Sequence, residues 1–245
     1  MTLHRLRLKH AKRAPLSMLT AYDYPSARLA DRAGVDVLLV GDSLGMVVLG
    51  RDDTTDVTMD EMVHHCAAAA RGNEKALLIG DLPFGAAVTP DDAARNGVRL
   101  VKEGRVDAVK LEGGARAVRH VGALVDAGVA VCGHIGLTPQ SYAALGGYRV
   151  QGRTADGAAE LLAHARALEA AGCFALVLEM VPAPVAAAIT AELTIPTFGI
   201  GAGAATSGQV QVFHDVLGLY DKVVPKFSRQ FGAFEAPIQL SLIHI

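Results

Sequence analysis

Short aliphatic runs alternate along this chain with alanine-rich stretches of helical periodicity. Eight of the runs read as strands: 16–21, 35–40, 76–79, 108–111, 129–132, 175–178, 197–200 and 222–224. Most are apolar at every position rather than at every second one, the pattern of strands covered on both faces, as in a parallel sheet sandwiched by helices. Between them lie predicted helices with legible stops, at 26–33 before Gly34, 90–103 before Gly104 and 155–171 before Gly172. Each glycine stands where a helix C-terminus calls for a residue tolerant of positive φ. Eight β/α units in a chain of this length match a (β/α)8 TIM barrel, whereas a doubly wound sheet more often uses five to seven strands. No internal repeat and no Ser/Gly-rich linker divides the chain, so one barrel domain is expected.

Composition narrows the function classes. The 245 residues are 51% hydrophobic with a mean hydropathy of +0.31, enough to bury a large core. Charges nearly cancel, 23 Lys and Arg against 25 Asp and Glu, and the one basic stretch, 5–13, reads as a solvated arm. Neither nucleic acid nor membrane is therefore expected as a partner. No run approaches the ~18 to 20 apolar residues of a membrane span, and the first residues lack a signal-peptide pattern, so a cytoplasmic location is expected. Cys66, Cys132 and Cys173 are odd in number and widely spaced in apolar sequence, which reads as buried thiols rather than a disulfide framework or zinc site.

The chemistry gathers where the strands stop. Two aliphatic runs end in Gly-Asp, at Asp42 and Asp81, and the other strand ends supply Tyr22, Asp23, Ser43, Lys110, Glu112, His134, Glu179 and the glycines of 199–203. In a barrel all of these would share one mouth, at the C-terminal ends of the strands. A single such acid is most simply a helix cap. Asp42, Asp81, Glu112 and Glu179 together repel one another and call for a cation. Four carboxylates, one histidine and no nearby cysteine suit a hard, oxygen-seeking ion such as Mg2+ better than zinc. Such an ion can chelate a small-molecule 2-oxo acid through its carboxylate and keto oxygens and stabilise an enolate. A spare carboxylate sheltered from water, such as Glu179, would then accept the adjacent proton. Gly199-Ile-Gly-Ala-Gly fits a loose dinucleotide pattern but falls in the seventh unit, so a tight strand-to-helix turn is expected there, with a phosphate cup as the other option. The long connections 45–58 and 138–153 read as lids over the mouth.

Several segments carry a family resemblance: Leu19-Thr-Ala-Tyr-Asp-Tyr, Val40-Gly-Asp-Ser-Leu-Gly-Met, Asp81-Leu-Pro-Phe, Val109-Lys-Leu-Glu-Gly-Gly, Cys132-Gly-His-Ile-Gly-Leu-Thr-Pro-Gln, Gly146-Gly-Tyr-Arg-Val-Gln-Gly-Arg, Leu178-Glu-Met-Val-Pro and Gly199-Ile-Gly-Ala-Gly. In this order, over residues 16–231, they resemble the ketopantoate hydroxymethyltransferase family. The resemblance implies a Mg2+-dependent barrel of the phosphoenolpyruvate/pyruvate superfamily, acting in pantothenate and coenzyme A synthesis. It would transfer a one-carbon unit from 5,10-methylenetetrahydrofolate to 3-methyl-2-oxobutanoate. Carried over by motif, Asp42 and Asp81 bind the metal and contact substrate, and Glu112 is a further ligand through water. Ser43 and Lys110 hold the substrate's carboxylate side, His134 lines the pocket and Glu179 is the proton acceptor. A homo-oligomer, commonly a decamer, is implied as well. The folate rests wholly on the resemblance, since nothing in composition or spacing marks a pterin site.

The chain departs from the family pattern at Ser207, where aspartate is usual before Gly-Gln, and at Ala204, where a larger or polar residue is common. The resemblance also implies a longer last helix, whereas the chain closes on Leu240-Ser-Leu-Ile-His-Ile. That hexapeptide is what CTGTCTCTTATACACATC, a transposon end used in sequencing libraries, would encode. The expectation is a barrel domain over 1–239 with a shortened last helix and a non-native tail over 240–245. Two other readings stay open at this point. One is another Mg2+-dependent 2-oxo-acid lyase or mutase of the superfamily, though relatives of that kind often carry a lid cysteine that 45–58 lacks. The other is an inactive truncated barrel.

Overall fold

In a computed structural model, which describes residues 1–220, 222, 225–234, 237, 238 and 240, the chain folds as a closed barrel of eight parallel strands in sequential order. The strands are β1 (Leu16–Thr20), β2 (Val37–Val40), β3 (Leu77–Asp81), β4 (Ala108–Glu112), β5 (Val131–Gly136), β6 (Ala175–Glu179), β7 (Thr197–Ile200) and β8 (Gly208–Gln211). Around and below them lie α1 (Leu3–Ala11), α2 (Tyr24–Ala33), α3 (Leu44–Val47), α4 (Met59–Gly72), α5 (Pro90–Lys102), α6 (Val118–Asp126), α7 (Tyr142–Leu145), α8 (Ala155–Ala170), α9 (Ala183–Glu192) and α10 (Phe213–Leu217). No helix among the described residues is long and apolar enough to cross a membrane. All three cysteines are buried free thiols, as expected.

Seven of the predicted strands are present, and the eighth lies elsewhere. Gly208–Gln211 closes the barrel, pairing with β7 on one side and β1 on the other. Its Gly-Gln-Val-Gln sequence buries only alternate positions, so it lacks the continuous apolar signature of the other strands. Of 222–224, where the sequence predicted that strand, Val223 and Val224 lie outside the described residues, and Lys222 sits in a bend. The glycine-rich stretch after β7 therefore leads directly into β8, not into a helix. Residues 241–245 of the expected tail also lie outside the described residues.

Helix boundaries follow sequence grammar. Asp23 with Ser26, Thr58 with Glu61 and Thr89 with Asp92 form reciprocal capping boxes that open α2, α4 and α5. Gly34 and Gly172 take positive φ after α2 and α8 as predicted. Gly104 does not. The left-handed residue after α5 is Arg105, and a Cβ at Gly104 would sit 2.7 Å from the Leu100 carbonyl oxygen and 2.9 Å from Cys66 Cβ. Crowding between α5 and α4, not backbone conformation, demands glycine there.

Two apolar clusters divide the core. One fills the space between strands and helices, and the other fills the barrel itself, with Leu16, Met18, Val37, Leu39, Leu77, Ile79, Ala108, Cys132, Ala175, Val177, Phe198, Ile200 and Val210. Leu6 of α1, fully buried, belongs to this interior cluster. Because side chains alternate along a strand, each interior series continues toward the C-terminal end on the same parity. Leu77 and Ile79 lead to Asp81, Ala108 to Lys110 and Glu112, Cys132 to His134, and Ala175 and Val177 to Glu179. Strand register therefore aims each of these polar residues into the barrel.

Candidate active site

The barrel's polar layer opens into a cavity of about 560 Å3 lined by all seven residues given a metal, substrate or proton role from the sequence: Asp42, Ser43, Asp81, Lys110, Glu112, His134 and Glu179. Sheet register sets neighbours side by side, Asp81 beside Lys110, Glu112 beside His134 and Gly136 beside Glu179. Gly136 is needed for that last approach: at φ +94°, any Cβ there would run into the Glu179 carbonyl oxygen.

Lys110 is the centre of charge. Its ammonium donates to Asp81 Oδ2 at 2.5 Å and to Glu112 Oε1 at 3.2 Å, with all three side chains nearly excluded from water. Burial alone would lower the Lys110 pKa, but the charges of Asp81, Glu112 and Asp42 hold it well above its ordinary value. Burial pushes Asp42 upward, reinforced by the neighbouring Asp81 charge. Asp81 is raised by burial too, and Lys110 only partly offsets this. Glu112 goes the other way: against burial, Lys110 and His134 hold it down to about 2. His134 is pushed up to about 9 despite its burial, chiefly by Glu112. Its Nδ1 lies 3.2 Å from Glu112 and its Nε2 3.2 Å from Glu179, ion-pair distances without the alignment of a hydrogen bond. At neutral pH the imidazolium thus separates Glu179 from the other acids.

Oxygen atoms of Asp42, Asp81 and Glu112 lie within 4.8 Å of one another. Asp81 Oδ1 is buried and has no hydrogen-bond partner among the described residues, although Oδ2 also accepts the Asp42 N–H at 3.3 Å. An orphaned carboxylate oxygen facing two further carboxylates is a donor set that fits a hard divalent cation.

Three contributors were not assigned a role from the sequence. Gln140, in the 3-10 turn Pro139–Ser141 after β5, donates its side-chain amide to Asp42 Oδ2 at 2.8 Å and to the Leu82 carbonyl at 2.9 Å, and its backbone N–H to Glu112 Oε2 at 3.1 Å. The long connection after β5 is thereby stitched to two of the three acids. The hydroxyl of fully buried Tyr22 lies 2.9 Å from Ser43 Oγ. Asp215 of α10 is a buried cavity-lining acid, hidden from sequence reasoning because β8 was placed after it instead of before it. Asp23, by contrast, caps α2 and does not line the cavity.

Known proteins resemble this chain both in sequence and in fold. The family model for ketopantoate hydroxymethyltransferase matches residues 1–243. The chain is 60% identical over 218 residues to 3-methyl-2-oxobutanoate hydroxymethyltransferase of Oleidesulfovibrio alaskensis, covering 89% of this chain and 75% of that protein. It is 54% identical over 235 residues to the enzyme of that name from Heliobacterium modesticaldum, covering 96% and 84%. Among solved structures, phosphoenolpyruvate phosphomutase from Streptomyces platensis superposes with a TM-score of 0.68 at 17% identity, over 99% of this chain and 85% of that one. A 2,3-dimethylmalate lyase of the PEP mutase/isocitrate lyase superfamily gives 0.64 at 19%, over 100% and 86%, so these two share the fold. With a family model spanning nearly its whole length and relatives identical at more than half of the aligned positions, the chain belongs to the ketopantoate hydroxymethyltransferase family.

Proposed function

We propose that the chain transfers a hydroxymethyl group from 5,10-methylenetetrahydrofolate to 3-methyl-2-oxobutanoate, giving 2-dehydropantoate and tetrahydrofolate, with water supplying the hydroxyl oxygen. The observation that carries the reading is the division of the acids: three converge within 4.8 Å around a buried lysine, while Glu179 stands apart across His134.

Asp42 and Asp81 would hold a magnesium ion, with Glu112 supporting it through water. Bound there, the ion would supply Lewis acidity toward the keto oxygen of the oxo acid. Lys110 and Ser43 would orient the substrate's carboxylate side, with Tyr22 fixing the Ser43 hydroxyl. Glu179, whose side chain retains 18% exposure, would take the C3 proton. His134 at 3.2 Å would hold that carboxylate in place. Family likeness further supports a homo-oligomer, decameric by resemblance, working in the cytoplasm. Phe84 and Val88, each more than half exposed, are apolar surface that such an assembly would cover.

The test incubates the chain with Mg2+, 3-methyl-2-oxobutanoate and methylenetetrahydrofolate and follows 2-dehydropantoate by mass spectrometry, beside Asp81→Asn. Product from the native chain and little from the variant is expected; equal product from both refutes the metal assignment. Deuterium exchange at C3 of the oxo acid without folate isolates the proton step, and Glu179→Gln should abolish it, because an amide cannot accept the proton.

A further inference from the structure

Asp215 is a carboxylate of the cavity wall for which neither the acid cluster nor the proton step has a use. It is only 7% exposed, yet no side-chain hydrogen bond or ion pair engages its carboxylate among the described residues. It lies outside the trio whose oxygens converge within 4.8 Å, so the same ion does not account for it. As an acid in the first turn of α10 it suits the helix dipole, but it bonds none of the free N–H groups there. The position is rigidly built. The Phe213 N–H donates to Thr20 Oγ1 at 2.9 Å, tying α10 to the end of β1, and the His214 ring packs on Tyr22 with centroids 5.4 Å apart.

The cavity wall supplied by residues 210–227 is largely apolar, with Val210, Val212, Pro225 and Phe227 beside Tyr220 and the cation Lys226. Tyr220 Oη is a second buried polar atom without a partner among the described residues. A lone carboxylate in such a wall awaits a ligand that brings its own donors. A bidentate N–H pair on a flat ring satisfies both oxygens at once, and the apolar lining takes the ring faces. The cavity volume of about 560 Å3 lies within the usual range for small-molecule sites, leaving space for a bicyclic ring beside a short oxo acid. Burial pushes the carboxyl up to about 6, so it is mainly ionised, and an acceptor, at neutral pH.

We propose that Asp215 anchors the pterin ring of the folate co-substrate, accepting the 2-amino and N3 hydrogens of its aminopyrimidine edge. The inference rests on the hydroxymethyltransferase reading and deepens it, giving the co-substrate a place on the wall formed by β8 and α10. The pterin faces Asp215 while the oxo acid occupies the acid cluster, so the one-carbon unit passes within a single cavity.

The test compares two ligands on two proteins. Tetrahydrofolate and its 2-desamino-2-methyl analogue are titrated against the native chain and Asp215→Asn, in the presence of Mg2+ and oxo acid under anaerobic conditions. The native chain should bind the analogue at least about tenfold more weakly, as expected for losing a hydrogen bond to a charged group. In Asp215→Asn that discrimination should shrink to about twofold or less. A native chain that binds both ligands alike overturns the proposal without any variant being needed, as does equal discrimination in both proteins. If the native chain forms 2-dehydropantoate while the two ligands bind alike, the anchor alone is wrong. If it forms none and binds neither folate, the functional reading falls with it.

Discussion

Gln140 donates its side-chain amide to Asp42 Oδ2 at 2.8 Å, so a residue of the long connection after β5 holds a carboxylate carried just beyond β2. Its backbone N–H holds Glu112 as well. Hydrogen bonds of this kind fix the direction of a metal-binding carboxylate, and their loss commonly costs 10- to 100-fold in affinity, by the general experience of such sites. Gln140→Leu should therefore weaken Mn2+ binding, read by electron paramagnetic resonance, by about tenfold or more. Circular dichroism should be unchanged. Unaltered affinity would mean that Asp42 is positioned by the barrel alone.

Lys110→Met removes the only ammonium facing Asp81 and Glu112 in the cluster described above. Buried carboxylates left without their partner destabilise a fold by about 3–5 kcal/mol. Urea unfolding in metal-free buffer should show a loss of that order. Saturating Mg2+ should restore part of it, because a cation bound only by the folded state both neutralises the acids and shifts the equilibrium.

Asp215 gives stability a pH dependence of known sign. Its folded pKa, raised to about 6 by burial, exceeds the ordinary carboxyl value of about 3.9, so the folded chain binds this proton more tightly than the unfolded chain does. The resulting stabilisation is full below about pH 4 and is lost as pH rises through 6. Asp215→Asn has no such loss. Its melting temperature relative to native should climb between pH 4 and 6 and level off above about 7. A gap that is flat across this range would place the carboxyl in contact with water.

Two glycines should respond oppositely to alanine. At Gly208, on the seam between β8 and β1, a new Cβ would strike the Leu16 carbonyl oxygen and come within 2.7 Å of Leu16 Cβ, so Gly208→Ala should cost about 1–3 kcal/mol in thermal or urea unfolding. At Gly122, inside α6, a Cβ meets nothing within 4 Å, and Gly122→Ala should stabilise by about 0.5–1 kcal/mol.

The residues whose burial is continuous were the ones legible in the sequence. Val37–Val40 and Leu77–Asp81 are buried at every position, and such runs announce both a strand and the acid at its end. Alternation then carried Lys110, Glu112, His134 and Glu179 into one layer. β8 was illegible because Gln209 is exposed and Gly208 has no side chain, so Val210 and little else marks a buried strand. Misplacing it also hid Asp215, which reads as a loop acid until β8 ends just before it. Gln140 eluded sequence reasoning for another reason. Its role comes from a loop folding back across the mouth, and no local periodicity encodes that contact.

The pairing of Leu16 with Gly208 joins strands separated by almost the whole length of the chain. Until residue 208 has been synthesised, β1 has only β2 beside it and presents an open edge, as β7 does on the far side. The entropy of closing so long a loop grows slowly with length, by about 0.6 kcal/mol per doubling, but it must be met before the last contacts repay it. Barrel closure is thus the last, most non-local pairing the sheet makes. A nascent chain stalled before β8 would carry the whole acid cluster on an unsealed sheet, where two free edges invite pairing with a second copy.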